Sequence, residues 1–197
     1  MKTLLATAGA FALLTTAMTN AADMKPTADA VSPLLAPWVG PYGGVPPFDQ
    51  VKVGDLKPGL ETGMAQQLAE IDRIANDPAA PTFENTIAAM ERSGRTLDRV
   101  ATVYGVYSST LNDEAVQAVE REMAPKLAAF SDQITQNPQL FERIARVYET
   151  RETSGLTPEQ QRLTWVYYTN FVRAGARLDA AGKKRTAEIN QELARLF

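Results

Sequence analysis

The 197-residue chain contains neither cysteine nor histidine. The first absence excludes disulfides, a thiol nucleophile, thiolate metal ligation and a lipoprotein anchor cysteine. The second removes the usual general base near neutral pH and the commonest catalytic zinc ligand. Ser-His-Asp and HExxH chemistry are both impossible within these residues. An excess of positive charge is lacking too: 20 basic and 23 acidic side chains leave a net charge of −3. Nucleic acid is therefore excluded as a partner, since phosphate backbones require concentrated basic surface. Runs of strict polar/apolar alternation are missing, which argues against a sheet. What remains is a composition of 45% hydrophobic and 22% charged residues, that of a globular chain able to bury a core.

The N-terminus carries the pattern of an export signal over residues 1–21. Lys2 supplies the positive start, Leu4 to Met18 is apolar, and Thr19-Asn20-Ala21 places small residues around a cleavage point. The apolar run of about 15 residues falls short of the roughly 20 that span a bilayer, so no stable membrane span is expected after cleavage. An exported protein of a Gram-negative periplasm is the expectation, and a cysteine-free chain is indifferent to that oxidising compartment.

Residues 22–54 form a Pro/Gly-rich arm that should be extended or looped, because proline fixes φ and disfavours helix before it. Leu34, Leu35, Trp38, Tyr42, Val45 and Phe48 within it call for burial. Residues 55–197 read as a helical lobe. Leu56, Leu60, Met64, Leu68, Ile71 and Ile74 make one helical stripe, ended by Asp77-Pro78-Ala79-Ala80-Pro81. Thr82 caps a second helix carrying Phe83, Ile87, Met90, Leu97, Val100, Tyr104 and Tyr107, with Ser93-Gly94 loosening its middle. Asn112 caps a third, with Val116, Val119, Met123, Leu127, Phe130 and Ile134, bent or split at Pro125. Asn137-Pro138 opens a short helix with Phe141, Ile144 and Tyr148. Thr157-Pro158-Glu159-Gln160 opens the next, lined by Leu163, Val166, Tyr167, Phe171 and Leu178. A last helix from about Lys183 holds Ile189, Leu193 and Leu196. The sum is an all-α antiparallel helical array behind an extended arm. Phe197 falls in mid-pattern with no glycine cap, which predicts a lobe cut from a longer chain.

Few features carry chemistry. Gly40-Pro41-Tyr42-Gly43-Gly44 matches neither GxGxxG nor GxxxxGK[ST], and reads as a turn. The carboxylate pairs Glu84/Glu91, Glu120/Asp113 and Glu149/Glu152 stand beside Arg92, Arg121 and Arg151, and read as solvated helix faces with occasional ion pairs. Tyr104, Tyr107, Trp165, Tyr167 and Tyr168 form two aromatic clusters at helical spacing, which reads as core; the alternative is a groove in which Tyr104/Tyr107 or Tyr167/Tyr168 grips peptide. Lys183-Lys184-Arg185 reads as the polar first turn of the last helix.

Several strings together resemble a known family. They are Pro33-Leu34-Leu35; Trp38-x-Gly40-Pro41-Tyr42-Gly43-Gly44-Val45-Pro46-Pro47-Phe48-Asp49; Pro81-Thr82-Phe83-Glu84-Asn85-Thr86-Ile87; and Glu91-Arg92-Ser93-Gly94. Further along come Ala124-Pro125-Lys126-Leu127, Leu140-Phe141-x-Arg143-Ile144 and Phe171-Val172-Arg173-Ala174-Gly175-Ala176. Over residues 33–197 the chain resembles the N-terminal portion of bacterial peptidyl-dipeptidases (dipeptidyl carboxypeptidases), thimet-oligopeptidase-like zinc metallopeptidases. The resemblance implies an almost wholly helical, two-lobed enzyme around a deep channel, removing C-terminal dipeptides from short peptides. It also implies a zinc held by HExxH and a further glutamate in the C-terminal half, where the motif's own glutamate activates the attacking water. None of those positions has a counterpart here, so no catalytic, cofactor-binding or metal residue is assigned. The expected role is steric: a channel wall that limits access, partnered by a C-terminal catalytic half and short peptide substrates. The alternative is a stand-alone periplasmic helical module that binds peptides or acts as a chaperone.

Overall fold

The computed structural model describes residues 32–196, and the expected signal segment lies outside them. Within the described residues the regular structure is helical apart from a single bridge between Val39 and Val45. This is the all-α helical array that the periodicities dictate.

The arm runs through turns, with one 3-10 turn at Pro41–Gly43, before α1 (Val53–Ala75) begins. Its N-terminus is stabilised by Asp55, whose carboxylate accepts the Lys52 N–H at 2.8 Å. Leu34 and Val51 from the arm are buried with Leu56, Leu60 and Met64 of α1, and Leu35 and Trp38 pack against them. The remaining arm residues depart from expectation. Tyr42 is fully exposed, and Val45 and Phe48 are exposed as well. The Val39–Val45 bridge closes a tight loop that turns these side chains away from the core. Tyr42 sits at φ 59° in the left-handed region, a conformation that costs a non-glycine residue of order 1 kcal/mol.

The second expected helix is three pieces. Thr82 caps a π-helical turn over Phe83–Ile87, accepting the Asn85 N–H while Asn85 Oδ1 accepts the Thr82 N–H at 2.8 Å. α2 (Ala88–Arg92) continues from it, and α3 (Arg95–Thr110) starts afresh. Gly94 makes the break rather than a mere loosening. It is buried at φ 79°, and its N–H donates to the Glu70 carboxylate of α1 at 2.7 Å, so a contact distant in sequence replaces the helical bond. The restart lets α3 lie along α1 at close range. A Cβ on Gly63 would stand 2.9 Å from Leu97 Cα, so only glycine admits this approach.

α4 (Glu114–Thr135) is one helix through Pro125, which removes a single backbone donor. Its cap is Asp113, which accepts the Val116 N–H at 2.9 Å, not Asn112. α5 (Pro138–Thr150) and α6 (Pro158–Arg173) begin at their expected caps, Asn137 and Thr157. α6 ends before Leu178, which is exposed beyond it. α7 (Ala180–Leu193) starts three residues before Lys183, where Asp179 accepts the Gly182 N–H at 2.7 Å. Two apolar cores result. One joins the arm, α1, α3 and α4; the other joins the end of α1, the π turn, α5 and α6. No helix among the described residues is long and apolar enough to cross a membrane.

Candidate functional site

The side chains with chemical potential fall into a few groups, and their partners decide what each can do. The first aromatic cluster belongs to the core. Tyr107 donates from its hydroxyl to the Val51 carbonyl at 3.0 Å, fastening α3 to the arm. Tyr104 packs on the same core and lines a cavity of about 480 Å³ with Gln117, Glu120, Arg121 and Arg195. Burial, then the negative charge of Glu120, pushes its phenol pKa up from the ordinary value of 10.0. A phenol so placed holds its proton and serves as a hydrogen-bond donor.

The second cluster is a stack that ties α5 to α6. Tyr148 and Tyr168 lie face to face with ring centroids 3.9 Å apart, and Phe141 stacks on Tyr168 at 5.8 Å. Arg151 covers Tyr148 at 4.0 Å, and Arg177 reaches the Tyr168 hydroxyl and ring from the other end. Tyr167 points elsewhere and donates to Glu91 at 2.5 Å, joining α6 to α2. Burial first and the Glu91 contact second push the Tyr167 pKa far above its usual range. Trp165 is exposed under the Arg162 guanidinium, 4.2 Å from the ring. Four of the five aromatics expected to be core or groove are therefore half-buried packing groups, and Tyr104 among them also borders a cavity.

The carboxylates are similarly committed. Glu84 pairs with Arg92 at 2.8 Å on the rim of a cleft of about 680 Å³ at the end of α1. Glu149 pairs with Arg146 and Glu152 with Arg151, while Glu120 accepts from Asn112 at 3.1 Å. Most of this is the solvated, ion-paired surface that the sequence suggests. Glu91 is the exception: its bond to Tyr167 crosses 76 positions of sequence and has no local signal. Lys183 and Arg185 of the basic triplet also find partners, the Gln136 carbonyl at 3.0 Å and Glu188 at 3.3 Å.

No three acidic, imidazole or thiol side chains come together among the described residues. A hydrolytic zinc of the implied kind does not fit this donor set, because its two histidine ligands have no counterpart in the sequence. Among the described residues the arrangement offers clefts and phenols that hold their protons.

Comparison with known proteins then supplies what the geometry lacks. The chain is 36% identical over 168 residues to a dipeptidyl carboxypeptidase of Salmonella typhimurium, covering 85% of this chain. It is a homologue of the bacterial dipeptidyl carboxypeptidases. A dipeptidyl carboxypeptidase of Escherichia coli is likewise 36% identical, over 166 residues and 84% of the chain. An organellar oligopeptidase A of Arabidopsis thaliana is 23% identical over 154 residues, covering 77% of the chain and 19% of that protein. The chain spans about a quarter of the length of the two bacterial relatives, 25% and 24%. No family model matches the chain.

Proposed function

We propose that this chain is an N-terminal helical lobe of an exported zinc metallopeptidase that removes C-terminal dipeptides from oligopeptides. In this reading the lobe walls the substrate channel and limits access to it, while the zinc and its ligands belong to a C-terminal catalytic half. The observation that carries the reading is the 36% identity sustained over 85% of the chain while spanning a quarter of the relative. The complete absence of histidine supports the division of labour, since the chain cannot hold the catalytic metal in the manner implied by the resemblance. Export is supported by the N-terminal pattern of Lys2 followed by a short apolar stretch.

The role asked of this part is steric, and the structure is suited to it. Its two cores stiffen the array, and the cleft at the end of α1 is edged by the Glu84–Arg92 ion pair. The test is an activity assay on the purified chain with oligopeptide substrates, with and without added zinc. No release of C-terminal dipeptides above buffer is expected. Release that survives rigorous repurification and is silenced by chelators would overturn the proposal.

A further inference from the structure

α7 is built inside out relative to the other helices. No residue of it is buried. The side it turns to α4 is small and polar: the Lys183 ammonium donates to the Gln136 carbonyl at 3.0 Å, and Asn190 Nδ2 donates to Asp132 Oδ1 at 2.7 Å. Ala187 faces the cleft beside Asp132. Its larger apolar side chains stay partly exposed: Ile189 by 39% and Leu193 by 48%, while Leu196, in the turn just beyond the helix, is 71% exposed.

At about 100° per residue Ile189 and Leu193 lie about 40° apart on one stripe, rotated roughly 110° from the face of Ala187 and Asn190. Arg185 and Glu188, paired at 3.3 Å, border one side of the stripe with charge. An apolar centre with a polar edge is the composition of a contact surface, not of a solvated one. Relatives of which the chain spans 25% and 24% contain about three times as much polypeptide again.

We infer that the apolar patch formed by Ile189 and Leu193 of α7, with Leu196 just beyond it, is the seat of an apolar helical surface from the remainder of the peptidase. α7 is then the joint between this lobe and the rest of the enzyme. The inference rests on the lobe reading above and specifies where that lobe is joined.

The absence of cysteine allows a direct test. Ile189→Cys and Leu193→Cys are made singly in this chain, and cysteine is placed at the aligned positions of the full-length Escherichia coli dipeptidyl carboxypeptidase. Val103→Cys, at a fully buried position of α3, is made in both as a reference. Labelling by a maleimide is timed against unfolded protein, with the unsubstituted enzyme as background. The expected result is labelling of 189 and 193 in this chain at close to the unfolded rate, and at least tenfold protection at both in the enzyme. Equal, rapid labelling in both proteins, with position 103 protected in both, overturns the assignment of the face and leaves the lobe reading standing. Protection of 189 and 193 already in this chain also overturns it. Rapid labelling of position 103 in the enzyme alone defeats the lobe reading itself.

Discussion

α1 and α7 both lean on α4, and they are held there in opposite ways. α1 buries Leu56, Leu60, Met64 and Ile71, and its glycines admit neighbours at contact distance. α7 buries nothing and is held by an ammonium on a carbonyl and an amide on a carboxylate. The two sequences are similar in kind, each with apolar residues three and four apart. Helical periodicity thus specifies an apolar face, but not whether that face is buried within the chain.

The sharpest way to break this comparison is to remove one side chain from each helix. Leu60→Ala should cost about 2–5 kcal/mol, because a fully buried leucine leaves both a transfer loss and a cavity. Urea unfolding followed by circular dichroism measures it, and a loss below about 1 kcal/mol would deny α1 its central place. Gly94→Ala probes the junction that lets α3 lie along α1. A Cβ there meets the Gln67 side chain at 2.5 Å and must adopt φ 79°. Gln67 can swing aside, so the expected cost is the left-handed penalty of about 1–2 kcal/mol, read in the same experiment. Ile189→Ala in α7 should stay within about 0.5 kcal/mol of the parent, as exposed sites do. A cost like that of Leu60→Ala would erase the contrast.

The smallest effect concerns charge between α1 and α4. Glu122 receives hydrogen bonds from Lys57 and Lys126, at 2.6 and 2.9 Å, and these lower its pKa from 4.5. A depressed folded pKa gives stability that is present above the unfolded value and lost as the pH falls through the folded one. Acidification below about pH 4.5 should therefore lower the thermal midpoint slightly more in the parent than in Glu122→Gln. High salt should shrink that difference, because the pair is exposed. Identical acid profiles of the two proteins would remove the network from the account.

What was legible in the sequence was local. Thr82, Asn137 and Thr157 cap their helices because a short polar side chain reaches a backbone N–H within three residues, and that reach is written in the sequence. The second helix is interrupted where periodicity runs on, because Gly94 donates its N–H to Glu70, 24 positions away, and not to a helical carbonyl. Tyr42, Val45 and Phe48 look like core by type, yet the bridge between Val39 and Val45 turns them outward, and bridges between non-neighbours have no signature in periodicity. Leu178 was assigned to α6 by spacing, but the chain leaves the helix at Arg173, and Gly175 at φ 93° turns it. Of the candidate groups, Tyr107 and the α5–α6 stack were foreseeable as packing. The Tyr167–Glu91 bond was not, since it is created by α6 crossing α2.

The absent Cβ of Gly63 has a mechanical meaning. With the Leu97 backbone where that methyl would be, and Gly59 similarly filled by Leu34 and Val100, α1, α3 and the arm interlock like a key in its wards. They cannot slide past one another by a fraction of a turn without a collision of main chains. Bending of the lobe is easier at its polar seam, where α7 meets α4 through half-buried side chains and two hydrogen bonds and without a fully buried residue of its own.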